Sequence, residues 1–286
     1  MRATPAAGSG TAPDAAVRLA RVLRHVTSPN GVSIACELSG EGRPLVLVHG
    51  AGSARWSFDL VRPALESRFT VTAIDRRGRG DSSDGEGYDV AREFEDVAGV
   101  VRDAGDGALL VGHSYGALIA AGAAQLLDGL RRLVLYEPPM GGVLAEPELI
   151  DRWERLIREQ ERDQMLREFF RRVAGYSEDE IDELALSPVW ERRRQASPTL
   201  PRELRAEFAF TLDPGALARL ATPTLMLLGS KSPEWARRST DAYCEAIPNV
   251  EVRILEGHGH GATTSCPELL AAEITRFAER SNAEPK

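Results

Sequence analysis

From about position 23 the chain alternates short, continuous apolar runs with longer stretches whose apolar residues recur every three or four positions. Leu45-Val46-Leu47-Val48 is a short continuous apolar run and reads as a strand, and so do 69–74, 108–111, 133–136, 224–228 and 250–255. A run with no polar side is what a parallel strand covered on both faces requires. Ahead of them, 23–27 and 32–38 flank the turn signal Pro29-Asn30-Gly31 and read as a hairpin. Between the strands, Val90, Phe94, Val97, Ala98 and Val101 mark one face of an amphipathic helix. A small-residue helix follows over 117–127, and further helices are expected from about Ala54, over 235–246 and over 267–280. Strands alternating with helices predict the α/β class: a mostly parallel sheet, right-handed crossovers and helices on both faces.

The alternation stops over 142–212, a segment rich in Glu and Arg with no strand pattern. Leu149, Ile150, Trp153, Leu156 and Ile157 share one helical face, and Met165, Leu166, Phe169, Phe170 and Val173 share another. One apolar stripe per helix predicts a helical insertion laid on the sheet domain. The expected organisation is therefore a tail over 1–22, an α/β core over 23–141 and 213–280, and the insertion over 142–212. The Ala/Pro/Gly/Ser-rich start reads as disordered and 281–286 as frayed.

Composition narrows the partners. A net charge of −8 over 286 residues gains nothing from counterion release, so nucleic acid and anionic membrane surfaces are poor partners. No stretch has the length of a membrane helix and the start lacks a secretory apolar core. Cys36, Cys244 and Cys266 are too few and too scattered for a disulfide framework; reduced thiols in a cytoplasmic protein are the simplest reading. No Cys/His spacing suggests zinc, and nothing in the sequence fixes an oligomeric state.

The candidate chemistry begins at Gly112-His113-Ser114-Tyr115-Gly116, placed between a buried strand and a helix. A strand-to-helix turn this tight has no room for side chains at 112 and 116, and it lifts Ser114 above the sheet edge at a helix N-terminus. A serine hydroxyl needs a neighbouring base. Of the five histidines, His25 lies in the first strand, and His49 and His113 sit inside other motifs where they brace loops. That leaves His258 and His260 in the loop after the last strand, at the carboxyl edge where sites of open sheets gather; His260 is favoured. An acid should orient the imidazole. The turn after 229 offers Ser230-Lys231-Ser232-Pro233, without a carboxylate, whereas Glu137 follows the strand ending at Tyr136 and is held by Pro138-Pro139. Glu137 is the expected acid, with Glu234 and Asp213 as outsiders. The amides of Ala51, in the turn His49-Gly50-Ala51-Gly52, and of Tyr115 are the expected oxyanion donors. Arg76, Arg77 and Arg79 read as solvated or salt-bridged loop residues.

These motifs, with Asp75-Arg76-Arg77-Gly78-Arg79-Gly80-Asp81-Ser82 and Gly257-His258-Gly259-His260, resemble the α/β-hydrolase superfamily in order and spacing. The likeness runs over about 23–280 outside the insertion and is nearest to cofactor-free bacterial esterases, lactonases and non-haem peroxidases. It implies an eight-stranded sheet with a helical cap between the sixth and seventh strands. It also implies an aspartate where this chain has Ser232, a departure that Glu137 answers in the variant with the acid after strand six. Dehalogenases and epoxide hydrolases of this fold carry aspartate at position 114, so Ser114 speaks against them. The resulting expectation is a serine hydrolase that opens an ester, lactone or thioester of an apolar small molecule without a cofactor, with cap residues such as Trp153 roofing the pocket. A cyclase, lyase or isomerase on the same residues, and a binding module with an incomplete triad, are the rival readings.

Overall fold

The structure is a computed structural model and describes residues 20–280. Eight strands, β1 Val22–Thr27, β2 Ser33–Ser39, β3 Arg43–Val48, β4 Phe69–Ile74, β5 Leu109–His113, β6 Arg132–Tyr136, β7 Thr224–Gly229 and β8 Val250–Leu255, form one sheet. Their order is β1-β2-β4-β3-β5-β6-β7-β8. β2 pairs antiparallel with both β1 and β4, and every later pairing is parallel. β1 begins at Val22, inside the stretch expected to be tail; Arg21 just before it is tied down by Asp59 at 2.6 Å. The expected disorder of the first dozen residues and the fraying of 281–286 lie outside the described residues. So do all but the end of the 1–22 segment.

The central strands β3 to β7 are buried on both faces, as their lack of a polar side requires, whereas β8 at the sheet edge is half-exposed, with Val252 and Ile254 facing solvent. One core layer packs helices Val90–Ala104, Tyr115–Ala124 and Glu234–Ala246 against the sheet, and the other packs Arg62–Leu65 and Pro267–Glu279. The helix Val90–Ala104 starts where the Asp89 carboxylate accepts the Arg92 amide at 2.9 Å, a side-chain cap on an otherwise orphan donor. Tyr115–Ala124 is buried at every residue, and its alanines and glycines let it sit close to the sheet. The helix expected from Ala54 is instead a 3₁₀ turn, Arg55–Phe58, and a single α turn, Arg62–Leu65. Pro63 accounts for the break: it is tolerated only in a helix's first turn.

Between β6 and β7 the described residues hold no strand. Helices Pro147–Arg158 and Arg162–Phe169, a π turn Phe170–Ala174, and helices Glu178–Ala185, Pro188–Ala196 and Leu200–Ala209 fill the segment. Ile150, Trp153, Leu156, Met165, Leu166 and Leu204 from this segment belong to the same buried cluster as the sheet. Among the described residues no helix is long and apolar enough to cross a membrane.

Two glycines are dictated by close approach. A Cβ on Gly112 would fall against the backbone of Gly116 and Ala117, and one on Gly116 would meet the carbonyl oxygens of Val48 and His49. Gly116→Ala is therefore expected to lower stability by about 1–3 kcal/mol, the ordinary cost of forcing a methyl into a packed interior. A fall of Tm by several degrees in thermal unfolding, with a smaller fall for Gly129→Ala, where a Cβ meets nothing within 4 Å and only the positive φ is strained, would separate packing from backbone strain.

Candidate active site

The chain leaves β3 toward β4 and then returns past it to β5, so the strand order reverses beside β3 and β5 and their carboxyl-end loops part there. Ser114 occupies this position, between β5 and the helix Tyr115–Ala124, with φ 56° and ψ −127°. A positive φ is costly for a residue with a Cβ. It is held here by the Ser114 amide donating to the Tyr136 carbonyl at 2.8 Å and by Ala117 donating to the Ser114 carbonyl at 2.7 Å. Of the three non-glycine residues with positive φ among those described, two are Ser114 and Glu137. Backbone strain of this kind persists where the surrounding structure over-determines it.

Three loops bring the expected side chains together. The Ser114 Oγ lies 2.9 Å from His260 Nε2. His260 Nδ1 faces Glu137 Oε2 in a short hydrogen bond. Glu137 is fully buried, and its other oxygen accepts the Gly229 amide at 2.8 Å and the Ser232 hydroxyl. Ser232 thus stands beside the carboxylate as its donor, a role that nothing in the residue pattern announced. The order Nδ1–H to Glu137 and Nε2 toward Ser114 is the tautomer a base for Ser114 requires.

The remaining histidines are placed as loop braces. His113 stacks on Tyr136 with ring centroids 4.7 Å apart and donates Nε2–H to the His260 carbonyl at 2.9 Å. Burial, with a smaller push from the neighbouring His260 and Arg193, holds its pKa well below the ordinary imidazole value. His49 is fully buried, donates Nδ1–H to the Gly50 carbonyl at 2.8 Å and accepts the Arg76 amide at 3.1 Å. His25 sits in β1 near the Asp81 carbonyl, and His258 is half-buried with Ser265 Oγ 3.4 Å away. Of the outsiders for the acid, Asp213 caps the turn Pro214–Leu217, and Glu234 opens the helix Glu234–Ala246.

Ala51 and Tyr115 flank the serine. Gly50 lies so close that a Cβ there would be 3.1 Å from the Ser114 Cβ, which brings the 50–51 backbone against the hydroxyl. Tyr115 is the first residue of its helix, where amides have no intrahelical acceptor. Ser114, His260 and Ala51 line a cavity of about 40 Å³ with Phe169, Phe170 and Tyr176. Trp153 does not reach it: the indole is fully buried within the 147–174 helices, donates to Glu168 at 3.1 Å and packs edge-on to Phe169. Its apolar stripe packs helices together, so the expected role of Trp153 in roofing the pocket is not met.

Of the two expected states, solvated or salt-bridged, Arg76, Arg77 and Arg79 take the second, and all three are buried. Arg77 grips Asp96 with two bonds of 2.6 and 2.8 Å. Arg76 bonds Glu93 at 2.9 Å and the Gly50 carbonyl at 3.2 Å, lies 4.8 Å from the Tyr115 ring centroid, and shares Glu203 with Arg79. Burial would push the Glu203 carboxyl up, but Arg79 and Arg76 outweigh it and hold the pKa below the usual range. Glu203 therefore stabilises the fold above the unfolded-state pKa and loses that contribution as pH falls. Glu203→Gln leaves Arg76 with Glu93 alone and Arg79 with only the distant Glu93 at 4.0 Å, and a loss of about 3–5 kcal/mol is expected from the denaturation midpoint.

Comparison with known proteins agrees with this architecture. The model of the alpha/beta hydrolase family matches residues 45–273. A solved alpha/beta hydrolase of Sphaerobacter thermophilus superposes with a TM-score of 0.78 at 32% identity, covering 89% of this chain and 99% of that one. The N-formylmaleamate deformylase of Pseudomonas putida is 38% identical over 107 residues, which is 36% of this chain and 40% of the deformylase. The soluble epoxide hydrolase of Corynebacterium sp. is 36% identical over 101 residues, 35% of each chain. The chain thus spans well under half the length of these two relatives. The family match covers both the elbow at Ser114 and the late loop at His260. With the eight-stranded sheet it places this chain in the alpha/beta hydrolase family.

Proposed function

We propose that the chain is a serine hydrolase that cleaves a carboxylic ester, lactone or thioester through an acyl-enzyme on Ser114. The observation that carries this reading is the continuous line Glu137–His260–Ser114, with His260 Nε2 2.9 Å from the serine oxygen. The Ser114 oxygen adds to the carbonyl carbon as its proton passes to His260 Nε2. The new oxyanion is held by the Ala51 and Tyr115 amides, helped by the dipole of the helix that starts at Tyr115. Collapse breaks the bond to the leaving oxygen or sulfur, which takes the proton from His260. Water, deprotonated by the same imidazole, then releases the acid and restores the serine. Glu137 stays ionised and stabilises the imidazolium.

The likeness to the deformylase, whose name denotes removal of an acyl group, points the same way. The epoxide hydrolase likeness is partial, and Ser114 stands where the resemblance implies an aspartate nucleophile for that chemistry. The small cavity favours a short acyl group.

The test is treatment with a neutral organophosphonate, with the adduct located by mass spectrometry, alongside assays on p-nitrophenyl esters. A phosphonate on Ser114 with ester turnover is the expected result. An adduct without ester turnover would move the chemistry to a different reaction on the same residues. No adduct would favour a binding module.

A further inference from the structure

Three consecutive arginines on the helix Pro188–Ala196 meet different surroundings. Arg192 pairs with Asp59 at 3.3 Å, and Arg194 with Glu191 at 2.7 Å and Asp163 at 3.3 Å. Arg193 turns inward to the Ser114 cavity and has no ion-pair or hydrogen-bond partner among the described residues. Its guanidinium lies over the Phe170 ring at 4.8 Å and the Trp56 ring at 5.3 Å, and its Nε is sealed from solvent. The same cavity wall holds the Ser53 and Ser57 hydroxyls, each buried and without a partner, and the ring of Tyr176.

Arg193 is half-buried, and a guanidinium partly withdrawn from water without a counter-ion is costly and cannot escape the cost by losing its proton. Burial lowers the Arg193 pKa from its ordinary value, which is the same cost in another form. Aromatic faces offset part of it, but they leave the fork without an anionic partner and its Nε without an acceptor. The unpartnered Ser53 and Ser57 hydroxyls line the same cavity as Arg193 and Ser114, so three groups able to donate to an anion share the space beside the nucleophile.

We propose that Arg193, with Ser53 and Ser57, is a carboxylate subsite, so that the acyl group cleaved from Ser114 carries an acid function of its own. This rests on the serine hydrolase reading and names its substrate class. A carboxylate matches the planar fork. A polyphosphate does not suit a chain of net charge −8. The substrates are short half-esters of dicarboxylic acids, or their lactone and thioester counterparts.

The experiment compares ethyl hydrogen succinate with ethyl butyrate, equal in acyl length, by pH-stat titration of the acid released. Wild type is expected to favour the half-ester in kcat/KM by about 10- to 100-fold, the range of a charge-assisted hydrogen bond in a dry site. Arg193→Met keeps the apolar stem and is expected to bring that ratio to one or below, whereas Arg193→Lys keeps the charge and retains part of the preference. Ser53→Ala is expected to lower the ratio less than Arg193→Met does. Binding of succinate itself by calorimetry, present in wild type and lost in Arg193→Met, gives a readout apart from turnover. Phosphonate labelling of Ser114 in each variant reports that its pocket is assembled. A wild-type ratio near one, or a ratio that survives Arg193→Met in a labelled protein, overturns the subsite and leaves the serine hydrolase standing. Failure of wild type to label or turn over either ester overturns the reading beneath it, while succinate binding would still stand or fall with Arg193.

Discussion

Replacing Ser114 by alanine is expected to lower kcat on p-nitrophenyl esters by roughly a millionfold, the scale on which loss of a triad serine disables a hydrolase. The hydroxyl is the only atom removed, and it is the atom that forms the covalent bond. What survives is the background supplied by the oxyanion amides and by binding, about 10³–10⁴-fold over water. Stability should change little, because alanine keeps the Cβ and the same positive φ that Ser114 already tolerates. Steady-state kinetics with a thermal unfolding control checks both halves. Residual activity above a percent of wild type, in a protein of unchanged Tm, would place the nucleophile elsewhere.

Glu137→Gln should be nearly as damaging, with kcat down by about 10⁴-fold. The reason lies in the two donors already committed to the carboxylate. Glu137 Oε1 accepts from the Gly229 amide at 2.8 Å and from the Ser232 hydroxyl, so in the variant the amide oxygen must turn toward them. The NH₂ group then points at His260 Nδ1, which must accept, and the ring proton moves to Nε2. That tautomer cannot take the Ser114 proton. The volume is conserved and the surrounding hydrogen bonds are kept, so the fold should persist. A kinetic loss of less than about tenfold would mean that another carboxylate orients His260.

The fold was legible because its central strands, β3 to β7, are buried on both faces and therefore write themselves as mostly apolar runs. Ser114, Glu137 and His260 were legible because each ends a parallel strand or follows one, and the carboxyl edge gathers such residues regardless of their distance in sequence. Other features depend on direction, which a linear pattern does not carry. Trp153 lies on an apolar stripe that suits a pocket wall and a helix–helix seam equally, and packing chose the seam. Arg193 is indistinguishable by type from Arg192 and Arg194; only the turn of the helix sends it inward. Ser232 looked like a missing acid, yet its hydroxyl braces the carboxylate that took over. Val22 belonged to a strand because Leu38 pairs with it from across the hairpin, a contact that composition near the terminus does not announce.

The measurement that bears most directly on the central claim is an acid quench of the protein during turnover of p-nitrophenyl acetate, followed by peptide mapping. An acetyl group on the hydroxyl of Ser114, at a level that rises and falls with turnover, is the predicted result. Sustained turnover with no acetyl on Ser114, or with acetyl on a different side chain, would contradict it.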